Sequence, residues 1–384
     1  MQGPGSDELN LSPIPVTRSS MPSFDEYVEE IAPIWESRWL TNMGVKHREL
    51  QAKLEEYLDV EHICLFTNGH LALEAIFEAM GVGSDGRKEV ITTPYTFAST
   101  THAIVRKGLK PVMVDVRASD CTLDPALVEA AITPDTCAIV PVHVYGNICD
   151  NEELQAIAAR HDLKVIYDAA HAFGVRTPGT PVAAMGNASM FSFHATKVFN
   201  TIEGGAVTFN GHPSFEPRLD QWKNFGITSP EDVEYVGGNA KMTEFQAAMG
   251  LCNLRHVEAE IARRGAAEAR YFERLAGVAG VRIALNTDPA IRRNHAYFPV
   301  VVDAGAFGAT RDEVFDGLAQ RGVNARKYFY PCTNEFACYQ GWFDPSATPI
   351  AHELSQSVLC LPMYADLSER DVDYVSDALL ACRG

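Results

Sequence analysis

Apolar residues recur at a helical spacing through residue 58, then give way to short apolar runs separated by amphipathic stretches. In 23–38, Tyr27, Ile31, Ile34 and Trp35 share one face of a 3.6-residue period, which predicts a helix. Trp39-Leu40-Thr41-Asn42-Met43-Gly44 interrupts it, and 47–58 reads as a second amphipathic helix. Strands are predicted at 63–66, 89–93, 111–116, 137–142 and 164–168. Helices are predicted between them at 71–80, 100–107, 123–131 and 151–161, and 188–192 with 205–209 reads as a strand pair. Near-continuous apolar strands that alternate with helices indicate an α/β fold, a mostly parallel sheet covered on both faces. Residues 242–275 form one long helical stretch. Beyond Gly277 come a strand-like run at 296–302, a helix at 311–321, the segment 323–328 and a last helix at 368–382, a small α+β unit. The expected organisation is a disordered polar tail at 1–20, a large domain at 21–275 and a small C-terminal domain at 276–384.

Composition narrows the function classes. Fifty acidic residues against 32 basic give a net charge of −18, which disfavours nucleic acid as a partner. No apolar run has the ~20 residues of a membrane span. The opening Met1-Gln2-Gly3-Pro4-Gly5-Ser6-Asp7-Glu8 lacks the basic and apolar regions of a signal peptide. Nine scattered cysteines with no C-x-x-C pair fit reduced thiols in a cytoplasmic protein.

Two segments carry the chemistry. Lys197 lies in Phe191-Ser192-Phe193-His194-Ala195-Thr196-Lys197, followed by Glu203-Gly204-Gly205. Its neighbours are small, apolar or hydroxylic, unlike those of a solvated surface lysine. Asp168 ends the strand Val165-Ile166-Tyr167-Asp168 and is followed by Ala169-Ala170-His171. A lysine that can form a Schiff base and a carboxylate that can keep a pyridine nitrogen protonated are the two groups pyridoxal 5'-phosphate (PLP) chemistry needs. Alone, the aspartate would pass for a turn residue and His171 for a core histidine. Three residues beyond Asp168, His171 is a candidate neighbour of the cofactor's 3'-oxygen.

Around this pair the sequence offers further contacts. Gly69 and His70 sit at a strand-to-helix turn, where backbone N–H groups and the helix dipole favour a phosphate. Ser192 offers a hydroxyl beside the lysine segment. Phe97, in Thr93-Pro94-Tyr95-Thr96-Phe97, is a candidate for stacking on the pyridine ring, with Tyr95 the weaker choice. Asn239 precedes the long helix and reads either as a cap or as a phosphate contact across a dimer interface. His194, Lys223, Asn224, Arg326, Tyr328 and Tyr330 are candidate substrate contacts.

These segments resemble the sugar aminotransferase family related to the DegT, DnrJ, EryC1 and StrS proteins, from Trp39 to Leu361-Pro362-Met363-Tyr364-Ala365-Asp366-Leu367. The resemblance implies the aspartate-aminotransferase fold (fold type I), with PLP as cofactor and pyridoxamine phosphate as its aminated form. It implies a homodimer with shared active sites. By the same resemblance Lys197 is the Schiff-base lysine, Asp168 the pyridinium partner, His171 the O3' neighbour and Phe97 the stacking aromatic. Ser192 and the Gly69-His70 turn match phosphate ligands, and Asn239 matches the asparagine given by the second subunit. Many members carry a Ser or Thr where His70 stands. A related branch replaces the lysine with histidine and dehydrates its sugar; Lys197 favours transamination here. Trp39-Leu40-Thr41-Asn42, Val142-His143-Val144-Tyr145-Gly146-Asn147 and Asn239-Ala240-Lys241-Met242 are similar to enzymes that aminate C4 of dTDP-4-keto-6-deoxy-D-glucose with L-glutamate as donor. The alternatives are a 3-keto nucleotide-sugar aminotransferase, a PLP-dependent sugar dehydratase and a non-catalytic PLP-binding regulator.

Overall fold

The computed structural model describes residues 13–211 and 214–384. Two helices open the chain, α1 (Phe24–Ser37) and α2 (Val45–Leu58). The large domain then runs β1 (His62–Phe66), α3 (Gly69–Ala79), β2 (Glu89–Thr92), α4 (Ala98–Arg106), β3 (Lys110–Met113), α5 (Pro125–Ala130), β4 (Thr136–Val140), α6 (Asn151–His161), β5 (Lys164–Asp168), β6 (Ala188–Ser192), β7 (Gly205–Phe209) and α7 (Phe215–Lys223). The long α8 (Glu244–Leu275) leads into β8 (Val281–Ile283), β9 (Phe298–Val302), α9 (Ala304–Phe307), α10 (Arg311–Gln320), α11 (Pro349–Ser357), β10 (Val358–Leu361) and α12 (Glu369–Leu380).

The seven large-domain strands form one sheet in the order β1-β7-β6-β5-β4-β2-β3. Only β7 runs against its neighbours, so the sheet is mostly parallel. Both faces are apolar because both are covered. On β1, Cys64 and Phe66 face the layer built by α3, α4 and α7, while Ile63 and Leu65 face the layer of α2, α6 and α8. The small domain holds the three-stranded antiparallel sheet β10-β9-β8. Its edge strand β10 had no counterpart among the expected elements. The four residues of Val358–Leu361 follow a helix directly and are too few to show a period.

The expected disordered tail is corrected over part of its length. Residues 1–12 lie outside the described residues. From Ile14 onward the chain is tied down: its N–H donates to Gly322 O at 2.8 Å, and Met363 N–H donates to Val16 O at 3.0 Å. Backbone pairing with the small domain needs no hydrophobic period, so nothing in the sequence announces it.

Candidate active site

The carboxyl ends of β5 and β6 and the starts of α3 and α4 meet around one cavity of about 620 Å³. Asp168 is the last residue of β5 and only 4% exposed. Its Oδ2 accepts the Thr100 hydroxyl at 2.7 Å and its Oδ1 accepts the Ala170 N–H at 3.1 Å. Burial pushes its pKa up; the Thr100 and Ala170 donors and the Lys197 charge oppose that rise.

Lys197 stands in the loop from β6 to β7. Lys197 N–H donates to His194 O, Thr201 N–H to Phe193 O and Phe193 N–H to Gly204 O, which closes the loop on itself. Phe199 anchors it by stacking on Phe173 at 4.5 Å and packing edge-on to Phe193 at 4.9 Å. The half-buried amine reaches Tyr297 Oη at 3.3 Å. Burial lowers its pKa to about 8, with Asp168 and Tyr328 pulling the other way. His171 is buried, and its Nδ1 accepts the Tyr145 N–H at 3.0 Å. Burial, then the Lys197 charge, pushes its pKa well below the usual histidine range.

The turn that opens α3 is built by close approach. Asn68 caps α3 by accepting the Leu71 N–H at 2.9 Å, so Gly69 and His70 form the first helical turn. A Cβ on Gly69 would lie 2.9 Å from Met190 Sδ, and one on Gly205 would lie 2.5 Å from Gly69 N. The turn therefore rests directly on β6 and β7, beside Ser192. The His70 ring is held by Ser99 Oγ at 2.9 Å and Glu74 at 3.2 Å.

Ten of the expected site residues line this cavity. Gly69, His70 and Ser192 lie at the start of α3 and the end of β6; Phe97, Asp168, His171 and Lys197 line it too, and His194, Arg326 and Tyr328 complete the set. Phe97 is 58% exposed. Four expected residues do not line the cavity of their own chain. Lys223 is fully buried, 2.6 Å from Asp220 and 3.2 Å from Cys64 Sγ, so its ammonium is not offered to a substrate. Tyr330 lies over Arg311, 4.7 Å from the guanidinium. Asn224 and Asn239 face each other across a backbone bridge, and both accept from Lys241 Nζ at 2.9 Å. Thr100, Tyr145 and Tyr297 were not expected here. Thr96 and Thr100 at one-turn spacing were a readable sign of a hydroxyl pair; Tyr297 had no local signal.

The cavity fits PLP. It has a buried carboxylate with both oxygens oriented, an amine of lowered basicity, an exposed aromatic at its rim and a helix start with no room for a side chain. A wider open groove of about 830 Å³ along α8 shares none of these residues and, among the described residues, contains no lysine.

The sequence pattern of the DegT/DnrJ/EryC1/StrS aminotransferase family matches residues 23–380. The dTDP-4-amino-4,6-dideoxy-D-glucose transaminase of Shigella dysenteriae is 42% identical over 363 residues, 94% of this chain and 97% of that protein. The structure of DesI in the presence of its TDP-sugar product superposes with a TM-score of 0.91 at 35% identity, covering 97% of this chain and 93% of that one. The PLP form of a Streptococcus pneumoniae protein does so with a TM-score of 0.87 at 26% identity, covering 95% and 98%.

Proposed function

The chain belongs to the DegT/DnrJ/EryC1/StrS aminotransferase family, and from that membership we propose that it is a PLP-dependent nucleotide-sugar aminotransferase. It moves the amino group of L-glutamate to the C4 ketone of dTDP-4-keto-6-deoxy-D-glucose, giving dTDP-4-amino-4,6-dideoxy-D-glucose and 2-oxoglutarate. The observation that carries this reading is the meeting of Lys197 and Asp168 in one cavity beside the Gly69 turn. The Shigella relative, named for the same amino sugar, supports the substrate.

Gly69, His70 and Ser192 would hold the cofactor's phosphate, Phe97 would cover the ring, and Asp168 would meet its nitrogen. Once bound, PLP supplies an electron sink for the carbon that loses a proton. Among the described residues, Lys197 is the one lysine lining the cavity. An amine titrating at about 8 is neutral often enough to accept a proton at Nζ and acidic enough to return it. Lys197 thus takes the proton from the donor's Cα and delivers one to the sugar carbon. His171, whose Nδ1 accepts the Tyr145 N–H, would offer its Nε2–H to the ring's oxygen.

A homodimer accompanies this reading. Phe225, Ile227, Val233, Tyr235 and Val236 crowd one short segment and are all exposed, as are Trp35, Trp39 and Leu40. Asn239, exposed beside the first group, would serve the partner's site. Nine unbonded cysteines suit a cytoplasmic enzyme.

The test is a coupled assay of purified, PLP-loaded protein. Glutamate should be consumed with the 4-keto sugar and not with a 3-keto sugar. Turnover of the 3-keto sugar alone, or loss of water without glutamate consumption, would replace this reading.

A further inference from the structure

Asp168 is buried deeply enough that an unsupported carboxylate there would be neutral. It has two donors of different kinds. Ala170 N–H belongs to the turn that follows β5 and is present in any sequence without proline at that position. The Thr100 hydroxyl comes from α4, 68 residues away, and is the one a side chain supplies. Thr100 is 0% exposed and Thr96 is 2% exposed. Their hydroxyls lie 2.9 Å apart. An ionised carboxylate only accepts, so Thr100 spends its single proton on Asp168 and receives one from Thr96. The order of the chain is therefore fixed: Thr96 to Thr100 to Asp168. The adjacent Thr101 is equally buried but bonds Thr333 Oγ1 at 2.8 Å, toward the small-domain segment.

We propose that Thr100 is a positioning residue: its Oγ1–H, ordered by Thr96, fixes the rotation of the Asp168 carboxylate and presents it to a pyridine nitrogen bound in the cavity. This rests on the PLP reading above. With the hydroxyl gone, Asp168 keeps one donor and its remaining oxygen is free to turn. The hydroxyl also opposes the rise that burial imposes on the carboxyl pKa, so its removal favours the neutral acid. A neutral acid pairs poorly with a protonated ring.

The experiment compares Thr100→Val, Thr100→Ser and Thr101→Val by titrating the apo-protein with PLP, and by following the pH dependence of the bound cofactor's visible band. Thr100→Val should bind PLP roughly ten-fold more weakly, the scale of one hydrogen bond to a charged group. Its visible band should titrate at a different pH from wild type. Thr100→Ser should recover most of the loss, and Thr101→Val should behave as wild type. If Thr100→Val does not fold, Thr96→Val carries the test, with an expected loss of about three-fold. Wild-type affinity and an unshifted band in the valine variant, or an equal loss in Thr101→Val, would overturn the role of Thr100 and leave the PLP reading intact. Failure of wild-type protein to bind PLP would overturn both.

Discussion

The backbone N–H of Tyr145 donates to His171 Nδ1 at 3.0 Å. Tyr145 reaches this geometry in the left-handed region, with φ at 57°. A ring nitrogen that accepts carries no proton, so the one proton of the neutral imidazole sits on Nε2. The ring is held in place by stacking against Phe329, with planes 4° apart. One backbone amide thus decides which edge of His171 donates.

Replacing that donor has a definite expected cost. His171→Phe keeps an aromatic against Phe329 but offers no N–H, and should weaken PLP binding roughly ten-fold in an absorbance titration. In wild type the imidazole stays neutral because burial and the Lys197 charge hold its pKa well below the usual range. PLP affinity should therefore show no histidine titration between about pH 6 and pH 9. A break near the ordinary histidine value, absent from the His171→Phe profile, would contradict this assignment.

Lys197 should titrate visibly instead. Its neutral amine becomes the major form above about pH 8, so PLP uptake by apo-protein should quicken up to that pH and then level off. Stability follows with a defined sign. The unfolded lysine keeps its proton up to the ordinary value of 10.5, while the folded one releases it near 8. Between these values the unfolded lysine holds more proton than the folded one, so Lys197 itself adds stability as pH rises across that window, by no more than ~3 kcal/mol, while buried thiols such as Cys64 and Cys360, pushed up by burial, work in the opposite direction. Urea melts of wild type and Lys197→Ala would show it as a difference: wild type gains stability relative to the variant as pH rises from about 8 to 10.5. Turnover of Lys197→Ala should be abolished while its melts remain cooperative.

Lys223→Met separates a structural role from a substrate role. The ammonium lies 2.6 Å from Asp220 and 5.5 Å from the Phe66 ring centroid, with no exposure of its own. Methionine fills the stem's volume but leaves Asp220 without its ion pair. The variant should lose about 3 kcal/mol in chemical denaturation, less if Asp220 turns to solvent, with KM for the nucleotide sugar unchanged. A raised KM at wild-type stability would restore Lys223 as a substrate contact.

What the sequence showed and what it hid divide along a physical line. β5 was expected at 164–168 and occupies those residues, because its apolar run is bounded on both sides and ends on a carboxylate. Helix α3 begins two residues before the expected 71, because Asn68 caps it, and that shift puts Gly69 and His70 in the first turn. The strand expected at 111–116 stops at Met113: Asp115 turns instead to accept the Ile350 and Ala351 N–H groups at the start of α11. Lys223 was misjudged because a charge in sequence does not reveal which way its helix faces. Tyr297 was missed because it meets Lys197 across 100 residues and between the two sheets. Local pattern reports elements and their ends; contacts made by packing those elements do not leave a local trace.

Gly205→Ala tests the close approach beneath the Gly69 turn. Its Cβ would meet Asn68 C and Gly69 N at 2.5 Å, backbone atoms that cannot swing aside. Either the start of α3 lifts off the sheet or β7 shifts, at an expected 1–3 kcal/mol, about the usual range for overpacking. PLP affinity should fall along with the melting temperature. At Gly86 a Cβ meets nothing within 4 Å, though its φ of 97° strains any side chain, so Gly86→Ala should cost stability and leave PLP affinity unchanged. Equal PLP affinities for the two variants would detach Gly205 from the cofactor site.

Among the described residues that line the cavity, Arg326 carries the one permanent positive charge. Its guanidinium stacks 5.0 Å from the Tyr328 ring centroid and donates to the Tyr328 hydroxyl. Among the described residues it forms no ion pair, whereas the next residue, Lys327, pairs with Asp312 at 2.6 Å. A stacked arginine with no carboxylate of its own is ready for an anionic ligand, and both expected substrates are anions. Arg326→Gln should raise KM for L-glutamate or for the nucleotide sugar by about ten-fold or more, the scale of a lost charge-assisted hydrogen bond, with kcat nearly unchanged. Whichever KM moves identifies the anion that the guanidinium holds. Arg326→Lys should recover only part of the loss, because an ammonium keeps the charge but neither the fork nor the stack on Tyr328. A variant with both KM values at wild type would remove Arg326 from substrate binding and leave it as a brace for Tyr328.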